Sequence, residues 1–169
     1  MDGAIHKSRK TRILEAIVIA ALVFITATIG SRATIPNIPE WYEGLNKPSF
    51  NPPNWIFGPV WTLLYALMTY AAWRVLGRPE SQRDLVKLAI IFILQLFFNA
   101  LWSIVFFGMH NPTVGLLVVV CLEVSVIVMI LAFAKYDRIA ALTQLPYAAW
   151  VAFASLLNLA IVFLNLSAS

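Results

Sequence analysis

The sequence predicts an all-α integral membrane protein, a five-transmembrane-helix bundle in which a long loop between helices 1 and 2 covers a pocket. Three observations lead there. The chain of 169 residues is 61% hydrophobic and only 12% charged, where soluble domains average about 45–50% and about 25%. Its apolar segments repeatedly reach the roughly 20 residues that a helix needs to cross a bilayer. One long polar and aromatic run stands apart from them, Trp41-Tyr42-Glu43-Gly44-Leu45-Asn46-Lys47-Pro48-Ser49-Phe50-Asn51-Pro52-Pro53-Asn54-Trp55.

A basic tail over residues 1–12 precedes a first helix at about 13–33, and 13–166 reads as a single membrane domain. The first apolar run exceeds the 7–15 residues of a signal core, and Ser31-Arg32-Ala33 is not a small-residue cleavage pattern, so it is read as a helix of the mature protein. The loop follows, from about Thr34 to Trp55. Pro48, Pro52, Pro53 and Pro59 fix φ and remove donors, so this stretch is stiff and non-helical, and its Trp and Tyr rings each pair an apolar body with a polar tip. Helices at about 56–77, 84–108, 113–135 and 139–166 complete the bundle, since lipid leaves no partner for open strand edges. The short connections between helices 2 to 5 predict that sequential helices are antiparallel neighbours.

Charge orients the chain. Lys7, Arg9, Lys10, Arg12, Arg74, Arg78, Arg83, Lys87, Lys135 and Arg138 fall at one end of the bundle, leaving Arg32 and Lys47 at the other. The positive-inside rule then places the N-terminus in the cytoplasm and the Trp41–Trp55 loop, the His110 loop and the C-terminus outside. The same placement accounts for the net charge of +4 without nucleic acid as a partner. Cys121 is a lone cysteine in an apolar run, so no disulfide framework or Cys/His metal spacing is present. Glu15 lies close enough to the basic end to pair with Arg12. Glu123 falls mid-helix 4, where a charge costs about 2.5–3.5 kcal/mol on insertion scales.

Four further signals gather at the loop end: Gly58-Pro59-Val60-Trp61-Thr62-Leu63-Leu64-Tyr65, Asn99-Ala100-Leu101-Trp102-Ser103, Phe106-Phe107-Gly108, and Pro146-Tyr147-Ala148-Ala149-Trp150 continuing to Leu157-Asn158. With the loop, they closely resemble the TspO or translocator protein family of tryptophan-rich sensory proteins, over nearly the whole stretch from Trp41 to Asn158. The resemblance implies a homodimeric bundle in a bilayer with an outer pocket for porphyrins, isoquinoline carboxamides or benzodiazepines. It implies no required cofactor, with protoporphyrin IX as a ligand. The sterol motif proposed for the family needs a tyrosine and then a basic residue. Leu157-Asn158-Leu159-Ala160-Ile161-Val162-Phe163 has neither, so cholesterol recognition through it is not expected.

Carried over residue by residue, the resemblance makes Tyr42, Pro52, Trp61, Tyr65, Asn99, Trp102, Tyr147, Trp150 and Ala154 the ligand-binding set, with Trp41 in the lid and Trp55 as its interfacial anchor. The residues themselves allow plainer readings. Trp61 and Tyr65 share a helix face, as do Gln95, Asn99 and Trp102, and Tyr147, Trp150, Ala154 and Asn158. Aromatic rings at helix ends also form interfacial belts, and membrane amides also tie helices together at about 0.6 kcal/mol each. The family match favours ligand bonding for Asn99, while Gln95 is read as interhelical glue.

The leading expectation is a tetrapyrrole receptor or sensor, the ring stacked on Trp61 and Trp150 and oriented by Asn99. A light-dependent porphyrin-degrading catalyst is the second reading, with Trp61 or Trp150 in electron transfer. A tetrapyrrole transporter is the third. No catalytic or metal residues are expected, since acid–base dyads and nucleophile motifs are missing from the sequence. A bacterial inner membrane is the expected location.

Overall fold

Four of the helices start where a side chain takes a free backbone N–H. In the computed structural model, which describes residues 8–79 and 81–166, the Ser8 hydroxyl caps α1 (Arg9–Thr34), Ser81 caps α3 (Gln82–Ser103) and Asn111 caps α4 (Pro112–Ala134). A short α5 (Arg138–Leu142) starts at the Asp137 carboxylate. Between these lies α2 (Phe57–Leu76), and α6 (Leu145–Leu166) ends the described chain. Most of the basic tail, His6 and Lys7 included, lies outside the described residues.

Five helical paths are long and apolar enough to cross a membrane. The protein is an all-α integral membrane bundle. Its core runs along the helix seams through Met68, Ala71 and Val75 of α2, Leu88 and Phe92 of α3, Leu122, Val126 and Met129 of α4, and Val151 and Ile161 of α6. Large apolar side chains such as Phe24, Ile90, Leu117 and Phe163 face outward, which in a bilayer means toward lipid.

Three features depart from the expected outline. First, the loop between the first two spans begins later than Thr34, because the helical path continues through 3₁₀ geometry at Ile35–Asn37 and π geometry at Ile38–Tyr42. Pro36 and Pro39 have no N–H to return to the preceding turn, so the path loosens but does not stop. Second, the last span is two helices, with Thr143 and Gln144 at the break. Gln144 donates from Nε2 to the Leu67 carbonyl at 3.0 Å and ties that break to α2.

Third, α2 and α3 touch only marginally despite their short connection. Instead α1 packs against both, α3 packs against α4, and α4 against α6. A connection of about six residues reaches roughly 20 Å when extended, enough to pass one intervening helix. This order leaves the space between α1, α2 and α3 open at the loop end.

At the opposite, arginine-rich end, three of the arginines are paired. Arg74 and Arg78 both reach the Asp137 carboxylate, at 2.8 and 3.1 Å. Arg12 binds Glu15 at 2.6 Å, as expected, donates to the Trp73 carbonyl, and lies over the Trp73 ring at 4.7 Å.

Candidate ligand pocket

The loop end is built from aromatic rings. At the end of α3, π geometry runs over Ile104–Gly108, and the consecutive Val105, Phe106 and Phe107 are all buried there. Trp102 stacks on Phe106 at 5.6 Å and lies 6.4 Å from Trp61, which in turn lies 5.6 Å from Tyr65.

Two cavities flank the Trp61–Trp102 pair. The larger, about 380 Å³, lies between α1, α2 and α3 and is lined by Gly30, Ser31 and Thr34 of α1, Phe57, Trp61 and Tyr65 of α2, and Trp102, Ser103 and Phe107 of α3, with Trp55 beside them. The smaller, about 20 Å³, faces α6 and is lined by Tyr42, Trp150, Phe153, Ala154 and Asn158. Phe57, Trp61, Trp102 and Phe107 line both, so a shift of these rings would join them.

The proposed site residues divide accordingly. Trp61 and Trp102 stand between the cavities, Tyr65 faces the large one, and Tyr42, Trp150 and Ala154 face the small one. Pro52, Asn99 and Tyr147 line neither. Asn99, only 1% exposed, accepts from the Tyr65 hydroxyl at 2.9 Å and donates to the Tyr147 oxygen at 3.0 Å. Tyr147 donates to Gln95 Oε1 at 3.0 Å. Gln95 thus makes the interhelical bond expected of it, and Asn99 meets the cavity through Tyr65. Gln95 Nε2 and Glu123 Oε2 are buried without a hydrogen-bond partner among the described residues.

Asn158 also ties helices together. Its Oδ1 accepts from the Trp102 indole N–H at 3.3 Å and its Nδ2 donates to the Pro112 carbonyl at 2.8 Å. Over the small cavity, the Tyr42 hydroxyl donates to Asn51 Oδ1 at 2.6 Å, and the Lys47 ammonium donates to the carbonyls of Tyr42, Glu43 and Leu45. Asn46 and Asn165 exchange two bonds, at 3.1 and 3.0 Å, fixing the loop to the end of α6. Trp41 packs outside both cavities, stacked on His110 at 4.6 Å. Trp55 is 73% exposed at the mouth, where an interfacial anchor belongs.

Sequence reasoning missed the contribution of α1. Ala27, Gly30, Ser31 and Thr34 line the large cavity, and their spacing of three to four residues forms a small-residue stripe on one face. That pattern was available, but helix packing explains it equally well. Phe57, shared by both cavities, was also within reach of that reasoning, since it lies four residues before Trp61 on the face that Trp61 and Tyr65 share.

A mostly apolar, aromatic cavity at the loop end of a bundle of membrane-spanning helices defines a class: an integral membrane protein with a ligand-type pocket. The model of the TspO/MBR family matches residues 17–164. The chain is 40% identical over 156 residues to the tryptophan-rich protein TspO of Archaeoglobus fulgidus, covering 90% of this chain and 98% of that one. It is 38% identical to the protein of the same name from Chlorobaculum tepidum, covering 91% and 98%. Against the human translocator protein it is 34% identical over 133 residues, covering 77% and 78%. The chain belongs to the TspO/MBR family, and with it to the TspO-type membrane receptors and sensors.

Proposed function

We propose that this protein binds a planar, largely apolar tetrapyrrole such as protoporphyrin IX, and that the pocket also accepts isoquinoline carboxamide or benzodiazepine ligands. The supporting observation is the 380 Å³ cavity with its wall of Trp61, Trp102, Phe57 and Phe107, a volume within the roughly 300–1,000 Å³ range of ligand pockets. At about 25 cal/mol per Å² of apolar area, burial supplies the affinity and the few polar groups orient the ligand. A ring system larger than the open cavity would displace the shared aromatic wall into the small cavity, bringing Trp150 and Ala154 into contact. Asn99 then acts through Tyr65. We further propose a homodimer in a bacterial inner membrane, with the N-terminus cytoplasmic and the loop outside.

The test is quenching of tryptophan fluorescence by protoporphyrin IX in nanodiscs. Saturable quenching is expected, with affinity reduced about tenfold or more by Trp61→Ala, since ring contacts of this kind contribute about 0.5–1.5 kcal/mol beyond the buried area. Unchanged affinity in Trp61→Ala overturns the assignment.

One observation favours a second reading, light-dependent oxidative porphyrin breakdown with dioxygen as oxidant. The Trp61 ring lies within 5.6 to 6.4 Å of Tyr65, Tyr147 and Trp102, a contiguous set of oxidisable rings beside the cavity. Bleaching of bound pigment in light, slowed by Trp61→Phe, is its signature. Equal bleaching with and without protein removes it.

A further inference from the structure

Resting on the ligand-binding reading of the large cavity, we propose that its polar corner is a hydrogen-bond acceptor, so that the ligand class it selects is an apolar aromatic molecule carrying an N–H or O–H donor. Tyr65 presents this acceptor, and a buried hydrogen-bond chain sets its polarity.

The direction of the chain can be followed from its buried end. Gln95 Oε1 can only accept, so the Tyr147 hydroxyl spends its proton there, at 3.0 Å. The Tyr147 oxygen then accepts from Asn99 Nδ2 at 3.0 Å. This turns Asn99 Oδ1 toward Tyr65, and Tyr65 donates its proton inward at 2.9 Å. With that proton committed, only the lone pairs of the Tyr65 oxygen remain for the cavity that the residue lines.

A second observation places the corner on the cavity wall. Gly30 of α1 lies opposite, and a Cβ there would come within 3.3 Å of Ser103 Oγ and 3.7 Å of the Tyr65 oxygen. The glycine leaves both oxygens facing the space. Ser103 can rotate to donate or accept, whereas Tyr65 is held as an acceptor by three residues behind it.

Paired probes separate the two characters: 2-naphthol, which can donate, and 2-methoxynaphthalene, which can only accept. Both are titrated calorimetrically into protein-loaded nanodiscs, with empty nanodiscs as the blank. Wild type is expected to bind 2-naphthol about three- to tenfold more tightly, the ratio of one net hydrogen bond. Tyr65→Phe should bring the ratio to one while keeping affinity for 2-methoxynaphthalene. Gln95→Leu tests the chain itself: without its acceptor the Tyr147 hydroxyl turns to Asn99 Oδ1, the chain reverses, Tyr65 donates to the cavity, and the ratio again falls to one.

A preference for 2-naphthol that survives Tyr65→Phe overturns the proposal, as does a wild-type preference for 2-methoxynaphthalene. A ratio unchanged by Gln95→Leu in a folded variant overturns the role of the chain. Failure of both probes to bind overturns the cavity reading and this inference with it, whereas equal binding of both leaves that reading standing and sinks only the acceptor.

Discussion

Asp137 holds one end of the bundle with a single carboxylate. Its Oδ1 accepts from the Ala140 N–H at the start of α5, while its Oδ2 accepts from Arg74 and Arg78. Burial alone would raise this carboxyl, but the Ala140 N–H and the two arginines outweigh it and hold it below its ordinary 3.8. A carboxyl that ionises more readily in the folded state stabilises fully above its unfolded value, and that contribution disappears as pH falls through the folded one. The melting temperature of wild type should therefore exceed that of Asp137→Asn by a constant margin from neutral pH down to about pH 4, and the margin should shrink below it. Asp137→Ala also removes the cap of α5, which costs about 1 kcal/mol more. Thermal unfolding in detergent across pH reads both, and a margin that grows on acidification contradicts the assignment.

Among the elements, α4 is positioned by its first turn. A Cβ at Gly115 would lie 3.2 Å from Phe106 and 3.3 Å from Asn158 Oδ1, so α4 approaches both the aromatic wall and α6 as closely as a glycine allows. Gly115→Leu should destabilise the protein by about 1–3 kcal/mol through overpacking and displace Phe106, narrowing the small cavity. Differential scanning calorimetry checks the first effect. If the variant melts as wild type does, the close approach is not a constraint on the bundle. The π turn at Ile104–Gly108 belongs to the same element scale, with Phe106 and Phe107 both buried in it.

For the molecule as a whole, the loop over the cavities is tied to the far end of the chain by Asn46 and Asn165. These two bonds cross from the lid to α6, and each contributes about 0.5–1.5 kcal/mol. Asn165→Ala should therefore raise hydrogen exchange over residues 44–52 by about fivefold or more. It should also speed both ligand association and release, as expected of a looser lid. Exchange mass spectrometry in nanodiscs reads the first. Protection unchanged from wild type would mean that the internal bonds of the loop, Tyr42 to Asn51 and Lys47 to three carbonyls, close it on their own.

Composition and hydropathy sufficed to determine that this is a five-span helical membrane protein, because apolar runs of bilayer length have few other stable forms. The aromatic motifs sufficed for the family, and the resemblance they carry pointed to Trp61, Trp102, Trp150 and Ala154, all of which line the cavities. Only the tertiary structure decided the rest. That α1 packs on α2 and α3 more closely than they pack on each other depends on which faces pack, and a short connection permits either order. That the spiral past Thr34 persists through Pro36 and Pro39 depends on a loosened helix retaining enough contacts to offset the missing bonds. That Asn99 meets the cavity through Tyr65 has a physical reason that no linear spacing carries: an amide in the membrane bonds whatever partner lies nearest. For Asn99 that partner comes from α2 and α6, and Tyr65 is left as the group facing the cavity.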